Sequence, residues 1–193
     1  MAQEIEHKFL VTSDCFKALG KGTRYRQGYI PTRNGMTVRV RIAGTQGFVT
    51  FKDHAVNLTR HEFEYPIPEA DARQMLELLC EKPQVEKTRY IIPNVKAQLP
   101  NGTPIEGLFW EVDVFHGDNE GLVLAEIEIP CEETQFEIPD WIGPDVSHDR
   151  RYRNNALARH PYKDWTEEEK NQILYNFLRV AQCPFDSLLF HRK

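Results

Sequence analysis

A chain of 193 residues, 40% hydrophobic and 27% charged, is long enough to bury a real core and reads as one domain with room for a C-terminal attachment. A formal net charge of −5 argues against broad adhesion to a nucleic-acid backbone, and no apolar run approaches the roughly 20 residues of a spanning helix. Neither a nucleic-acid nor a membrane partner is therefore expected. The acidic N-terminal stretch lacks the apolar core of an export signal, and Cys15, Cys80, Cys131 and Cys183 are scattered without CxxC spacing, so the expectation is a cytoplasmic protein with free thiols.

Residues 1–10 alternate Glu4, Glu6 and Lys8 with Ile5, His7 and Phe9, which in a strand places the charges on one face. Ser13 or Asp14 can cap a short helix running to Leu19. Residues 24–30 (RYRQGYI) form the next strand, closed by Pro31, and Asn34-Gly35 marks a hairpin into residues 36–42. There Arg39 and Arg41 alternate with Val38, Val40 and Ile42. A turn at Gly44 to Gly47 leads to residues 48–52, with Thr50 and Lys52 on one face. After a loop, residues 59–67 set Arg60, Glu62 and Glu64 against His61, Phe63 and Tyr65.

Pro68, Glu69 and Asp71 open a helix whose Ala72, Met75, Leu76 and Leu79 have helical spacing and which Pro83 stops. Residues 85–92 carry Lys87 and Arg89; residues 108–115 carry Glu111 and Asp113; residues 122–129 carry Glu126 and Glu128. The opposite faces of these strands are apolar. An antiparallel sheet with one wet face explains such alternation. Against it stand the scarcity of Ser, Thr, Gln and Asn on the charged faces and the scarcity of helices to cover the apolar ones.

A closed barrel with its charges inside accounts for both. The expected fold is α+β, mainly β: an eight-stranded antiparallel closed barrel with a charged lumen, flanked by a few helices. Desolvating so many charges is unfavourable unless they pair or bind ions. Carboxylate pairs are hard-oxygen ligands for Mg²⁺ or Mn²⁺, and Arg and Lys bind phosphoryl oxygens. Together they specify a metal–polyphosphate complex.

The ordered set Glu4-Ile5-Glu6-His7-Lys8 (an ExExK signature), Arg39-Val40-Arg41, Lys52, Glu62-Phe63-Glu64, Lys87-Thr88-Arg89, Glu111-Val112-Asp113 and Glu126-Ile127-Glu128 resembles the CYTH, or triphosphate tunnel metalloenzyme, superfamily. The resemblance runs from residue 1 to about 160, and RQGYI, WEVDVF and LVLAEIEIP look like its bacterial inorganic triphosphatase branch. It implies an eight-stranded tunnel that binds a triphosphate lengthwise with a divalent metal. It further implies that Glu4, Glu6, Glu128 and Glu126 hold a metal, while Lys8, Arg39, Arg41, Lys52, Lys87 and Arg89 cradle phosphate oxygens and offset charge in the transition state. Glu62, Glu64, Glu111 and Asp113 are then ligands of a second metal or position the attacking water; orienting the Arg and Lys side chains is the alternative.

Gln27 and Tyr29 share a face that is either tunnel or core, and His7, His54 and His61 read as structural or solvent-facing. Beyond Ile138, residues 139–144 read as a connector, and Ser147 or Asp149 can cap a helix that Pro161 ends. By the resemblance, Arg151 or Arg150 of that helix can touch phosphate, a solvated helix face being the alternative. Thr166 and Glu169 form a capping box for a last helix with an apolar stripe, within a C-terminal extension of residues 161–193 packed on the residue 1–160 domain or on a second copy. The expected function is metal-dependent hydrolysis of tripolyphosphate to orthophosphate, by a monomer or homodimer. A class IV-type adenylyl cyclase, a thiamine or nucleoside triphosphatase and a non-catalytic polyphosphate-binding module are the alternatives.

Overall fold

The alternation of charged and apolar residues is realised strand by strand in the computed structural model, which describes residues 5–33, 35–53 and 61–171. Glu4, Asn34, His54, Arg60, Cys183 and the apolar stripe of the last helix lie outside the described residues. The strands are β1 (Ile5–Val11), β2 (Gly22–Ile30), β3 (Thr37–Ala43), β4 (Gln46–Lys52), β5 (Glu62–Ile67), β6 (Val85–Pro93), β7 (Phe109–His116), β8 (Val123–Ile129) and β9 (Ile142–Asp145). They make one nine-stranded antiparallel sheet in the order β5-β4-β3-β2-β6-β7-β8-β1-β9. Among the described residues no helix is long and apolar enough to cross a membrane.

Register decides which charges meet. Lys8 lies opposite Glu126 and Glu6 opposite Glu128, Arg89 opposite Asp113, and Lys52 opposite Glu62. Side chains directly opposite each other in an antiparallel pair are close enough to interact, so these registers write the ion pairs into the backbone. The sheet is curled. Lys8 and Glu126 near one end of the strand order border the same cavity as Arg39 and Lys52 near the other.

The convex, apolar face is covered in two places. Phe9, Trp110, Val112, Ile127 and Ile129 pack with Phe16, Trp141 and the half-buried Phe136. Helix α1 (Glu69–Leu78) lays Ala72 and Leu76 on Val40 and Ile42 of β3. The helix lies so close that a Cβ on Gly47 would stand 2.8 Å from the Cβ of Ala72, and one on Gly28 2.8 Å from the Cβ of Cys80. Glycine at these positions permits the approach.

On the concave face the charged rows stop abruptly. Stepping two residues along each strand, Lys87 gives way to Val85, Asp113 to Phe115, Glu126 to Leu124 and Lys8 to Leu10. These apolar residues pack with Val146, Tyr152, Leu157 and Trp165 from the chain after β9. A buried apolar plug therefore backs one end of the charged tract.

The mainly β, antiparallel, barrel-like architecture is as expected, and four details of it are corrected. The strands number nine rather than eight, because residues 142–145 of the supposed connector pair with β1. No ladder joins β5 to β9 among the described residues, so hydrogen bonds do not close the curl there; Ser147, Asp149, Arg153, Asn154 and Asn155 line the cavity instead. And the helix expected from residue 149 to Pro161 is a 3₁₀ turn at Arg150–Tyr152, an extended Arg153, and a short α2 (Asn154–Leu157). Asp149 does cap this segment, its carboxylate accepting from the Arg151 backbone N–H at 3.0 Å. The break at Arg153 lets both Tyr152 and Leu157 enter the plug. Similarly, the helix expected after Ser13 is a 3₁₀ turn, Asp14–Ala18, that buries Phe16. The capping box is formed: Glu169 Oε2 accepts from the Thr166 N–H at 2.8 Å, and Thr166 Oγ1 from the Glu169 N–H at 3.2 Å.

Candidate active site

Two charged clusters face one another across a cavity of about 560 Å³. The first is built on β6, β7, β8 and β1. Lys8 Nζ bonds the Glu126 carboxylate and lies 3.2 Å from Glu6. Arg89 donates to both oxygens of Asp113 at 2.5 and 2.6 Å, to Glu126 at 3.0 Å, and to Glu111. Lys87 Nζ, fully buried, donates to Asp113 at 2.5 Å and to Asn154 Oδ1 at 3.3 Å.

The second cluster belongs to β3, β4 and β5. Glu64 accepts from Arg39 at 3.0 Å, Arg41 at 2.8 Å and Thr50 Oγ1 at 2.7 Å, while Lys52 lies 2.6 Å from Glu62. Arg39 Nε and Arg41 Nε are buried without an acceptor.

Burial and pairing set the protonation states. Glu126 is buried, which alone would raise its pKa, yet Lys8, Lys87 and Arg89 bring it down to about 2. Burial opposes the charge of Lys8, but Glu126 and Glu6 outweigh it and raise its pKa. For Lys87 the balance falls the other way: burial prevails over Asp113 and lowers the pKa to about 8. Arg89 is raised despite its burial because Asp113 and Glu126 both hold it. Burial pushes the Tyr29 hydroxyl up to about 12. It accepts from Gln27 Nε2 at 3.0 Å, so its own proton stays available.

The cavity is lined by Glu6, Lys8, Arg39, Lys52, Glu126 and Glu128 among the expected residues, and by Tyr29. Arg41, Glu62, Glu64, Lys87, Arg89 and Asp113 stand behind them in the ion-pair network. Glu111, paired with Arg89, opens instead on a neighbouring chamber of about 380 Å³. Arg151 is turned away: Asp149 holds it in a two-pronged ion pair, and its guanidinium lies 4.9 Å above the Trp165 ring. Arg153 lines the cavity instead, exposed, and forms no side-chain hydrogen bond or ion pair among the described residues. Reading 149–161 as one helix hid it. An alternation of Arg151 and Arg153 around buried Tyr152 is the signal for an extended break.

Glu6, Glu126 and Glu128 present hard carboxylate oxygens on one wall, the donor chemistry that suits Mg²⁺ or Mn²⁺ beside phosphate. Among the described residues no group of three or more stands converged on an ion; Glu6 and Glu126 are turned to Lys8, and Glu4 lies outside. The donors fit the metal. Glu6 and Glu126 now hold cations that a bound ion would displace.

The chain is 48% identical over 167 residues to the inorganic triphosphatase of Acetivibrio thermocellus, covering 86% of this chain and all of that protein. It is 37% identical over 158 residues to the inorganic triphosphatase of Nitrosomonas europaea, covering 80% of this chain and 96% of that one. Its fold matches the crystal structure of the inorganic triphosphatase NE1496 with a TM-score of 0.59 and 35% identity, over 82% of this chain and 95% of that one. The CYTH domain signature spans residues 2–157, and the chain belongs to the CYTH domain family.

Proposed function

We propose that the protein is a metal-dependent inorganic triphosphatase that hydrolyses tripolyphosphate to orthophosphate and pyrophosphate. One observation carries the reading: a carboxylate wall of Glu6, Glu126 and Glu128 borders the same cavity as the cations Lys8, Arg39, Lys52 and Arg153. The names of the relatives in Acetivibrio and Nitrosomonas support it.

Glu6, Glu126 and Glu128, with Glu4, would hold Mg²⁺ or Mn²⁺, which when bound neutralises charge on the phosphoryl oxygens. Lys8, Arg39, Lys52 and Arg153 bind and orient the chain of phosphates. The unpartnered Arg39 Nε and the Tyr29 hydroxyl proton supply further donors. Arg41 is tied to Glu64 behind Arg39, and the same carboxylate fixes both guanidiniums. Asp113, fully buried and held by Lys87 and Arg89, orients these cations rather than binding a second metal; Glu111 has the same bond to Arg89. Such fixed donors need no reorganisation as charge moves toward the leaving oxygen. Scattered free thiols at Cys15, Cys80 and Cys131 support an intracellular setting.

Incubation with tripolyphosphate, ATP or thiamine triphosphate, each with Mg²⁺ or Mn²⁺, separates the readings. Orthophosphate released mainly from tripolyphosphate is the expected result. Cyclic AMP from ATP would replace the proposal with a cyclase, and binding without product with a storage module.

A further inference from the structure

The carboxylates Glu6, Glu126 and Glu128 border two chambers, not one. The larger, described above, is lined by the cations Lys8, Arg39, Lys52 and Arg153. The smaller, about 380 Å³, is walled by Ile105, Leu108, Phe109, Ile129 and Pro130, and its charged residues among those described are Glu6, Glu111, Glu126 and Glu128. Glu6, Glu126 and Glu128 are thus open to approach from both sides, but the larger chamber sets four cations against those carboxylates and Asp149, whereas the smaller has no cation in its lining among the described residues. A dication moving through the larger chamber passes a row of ammonium and guanidinium groups. Through the smaller it meets only carboxylates across low-dielectric apolar walls, which focus the field. For a triphosphate the preference is reversed.

Resting on the triphosphatase reading, we propose that the smaller chamber is a separate cation door, through which the divalent metal reaches and leaves Glu6, Glu126 and Glu128 while the triphosphate uses the larger chamber. The arrangement lets metal exchange while a triphosphate is seated. It also lets the metal approach along carboxylates and the triphosphate along cations, without either crossing the other's path. Ile105 and Pro130 stand at the door without belonging to the charged machinery. Ile105 is half-buried and Pro130 exposed, so larger side chains there need not enter the core.

The test follows Mn²⁺ on the full chain by stopped-flow exchange into a fluorescent chelator, with and without saturating diimidotriphosphate, a non-hydrolysable triphosphate. In the wild-type protein, Mn²⁺ is expected to keep exchanging with the analogue bound. Ile105→Trp, or Pro130→Trp should the first variant fold poorly, is expected to slow association and dissociation by the same several-fold factor. The equilibrium affinity is expected to stay put, because a narrowed door changes rates and not end states. Ile105→Lys, but not Ile105→Gln, is expected to lower the association rate about tenfold, the scale on which local fields steer ions. Exchange frozen by the analogue, or unchanged rates in the tryptophan and lysine variants, overturns the proposal. Tripolyphosphate hydrolysis, measured separately on the same wild-type sample, shows whether the triphosphatase reading itself has failed.

Discussion

Lys87 is the residue at which stability and function diverge. It is fully buried, and burial lowers its pKa to about 8. Between that value and the unfolded lysine value of about 10.4 the unfolded chain binds more protons, so folding stability rises with pH across this window. Below about pH 8 the fold carries an ammonium it would be more stable without. Removing it leaves Asp113 still gripped by both arms of Arg89. Lys87→Met is therefore expected to leave the midpoint of urea unfolding at pH 7 close to that of the wild type, the relieved burial of the ammonium being offset by the partner lost from Asp113. Hydrolysis should fall by about ten- to a hundredfold, the scale for removing a group that orients a site's contacting residues, because Lys87 holds Asp113 and the cavity-lining Asn154. The wild-type kcat/KM should also decline on the alkaline side as Lys87 loses its proton near pH 8, and this limb should be missing from the residual activity of the variant. A lower unfolding midpoint in Lys87→Met would show the ion pair to be a structural asset instead.

Among the elements, the strands were the part most legible in the sequence, because long charges alternating with Val, Ile and Phe leave few other readings. Lys8, Arg39, Lys52, Glu126 and Glu128 all reach the cavity their alternation implied. Strand β9 was hidden because Ile142-Gly-Pro-Asp145 has no alternation, and its Pro144 is tolerable only at the sheet edge it occupies. The plug was hidden for another reason. Leu10, Val85, Phe115 and Leu124 sit on the same strand faces as the charges, and nothing local distinguishes an apolar residue lining a tunnel from one stopping it. Its partners lie far along the chain, in short turns whose helical period is broken at Arg153. Leu157, fully buried in the plug, follows directly on the turn that brings Asn154 to Lys87. Leu157→Ala is expected to lower stability by about 2–5 kcal/mol, the range for emptying a core leucine site, as read from denaturant unfolding. A loss below 1 kcal/mol would mean that the tail is a loose cover rather than part of the core.

At the scale of the whole molecule, the lumen neutralises itself. Lys8 and Arg89 sit on Glu6 and Glu126, carboxylates that the proposed function needs for metal, and Lys8 is itself a cation needed for phosphate; Lys52 and Arg39 are likewise held by Glu62 and Glu64. Either ligand alone must break such pairs and leave the abandoned partners exposed to like charge. Metal and triphosphate together replace both sides at once. Binding of one should therefore strengthen binding of the other, and linkage requires the factor to be the same in both directions. The thermal midpoint is the direct readout, since a ligand that binds only the folded state stabilises it by about 2.7 kcal/mol at a hundredfold excess over its dissociation constant. Mn²⁺ and diimidotriphosphate added together are expected to raise the midpoint by more than the sum of their separate shifts. High salt should shrink the excess, because the charges exposed at the cavity mouth are screened over about 10 Å at 0.1 M. Strictly additive shifts would mean that the carboxylate and cation walls act as independent sites, and that the ion pairs joining them in the ligand-free fold do not survive in solution.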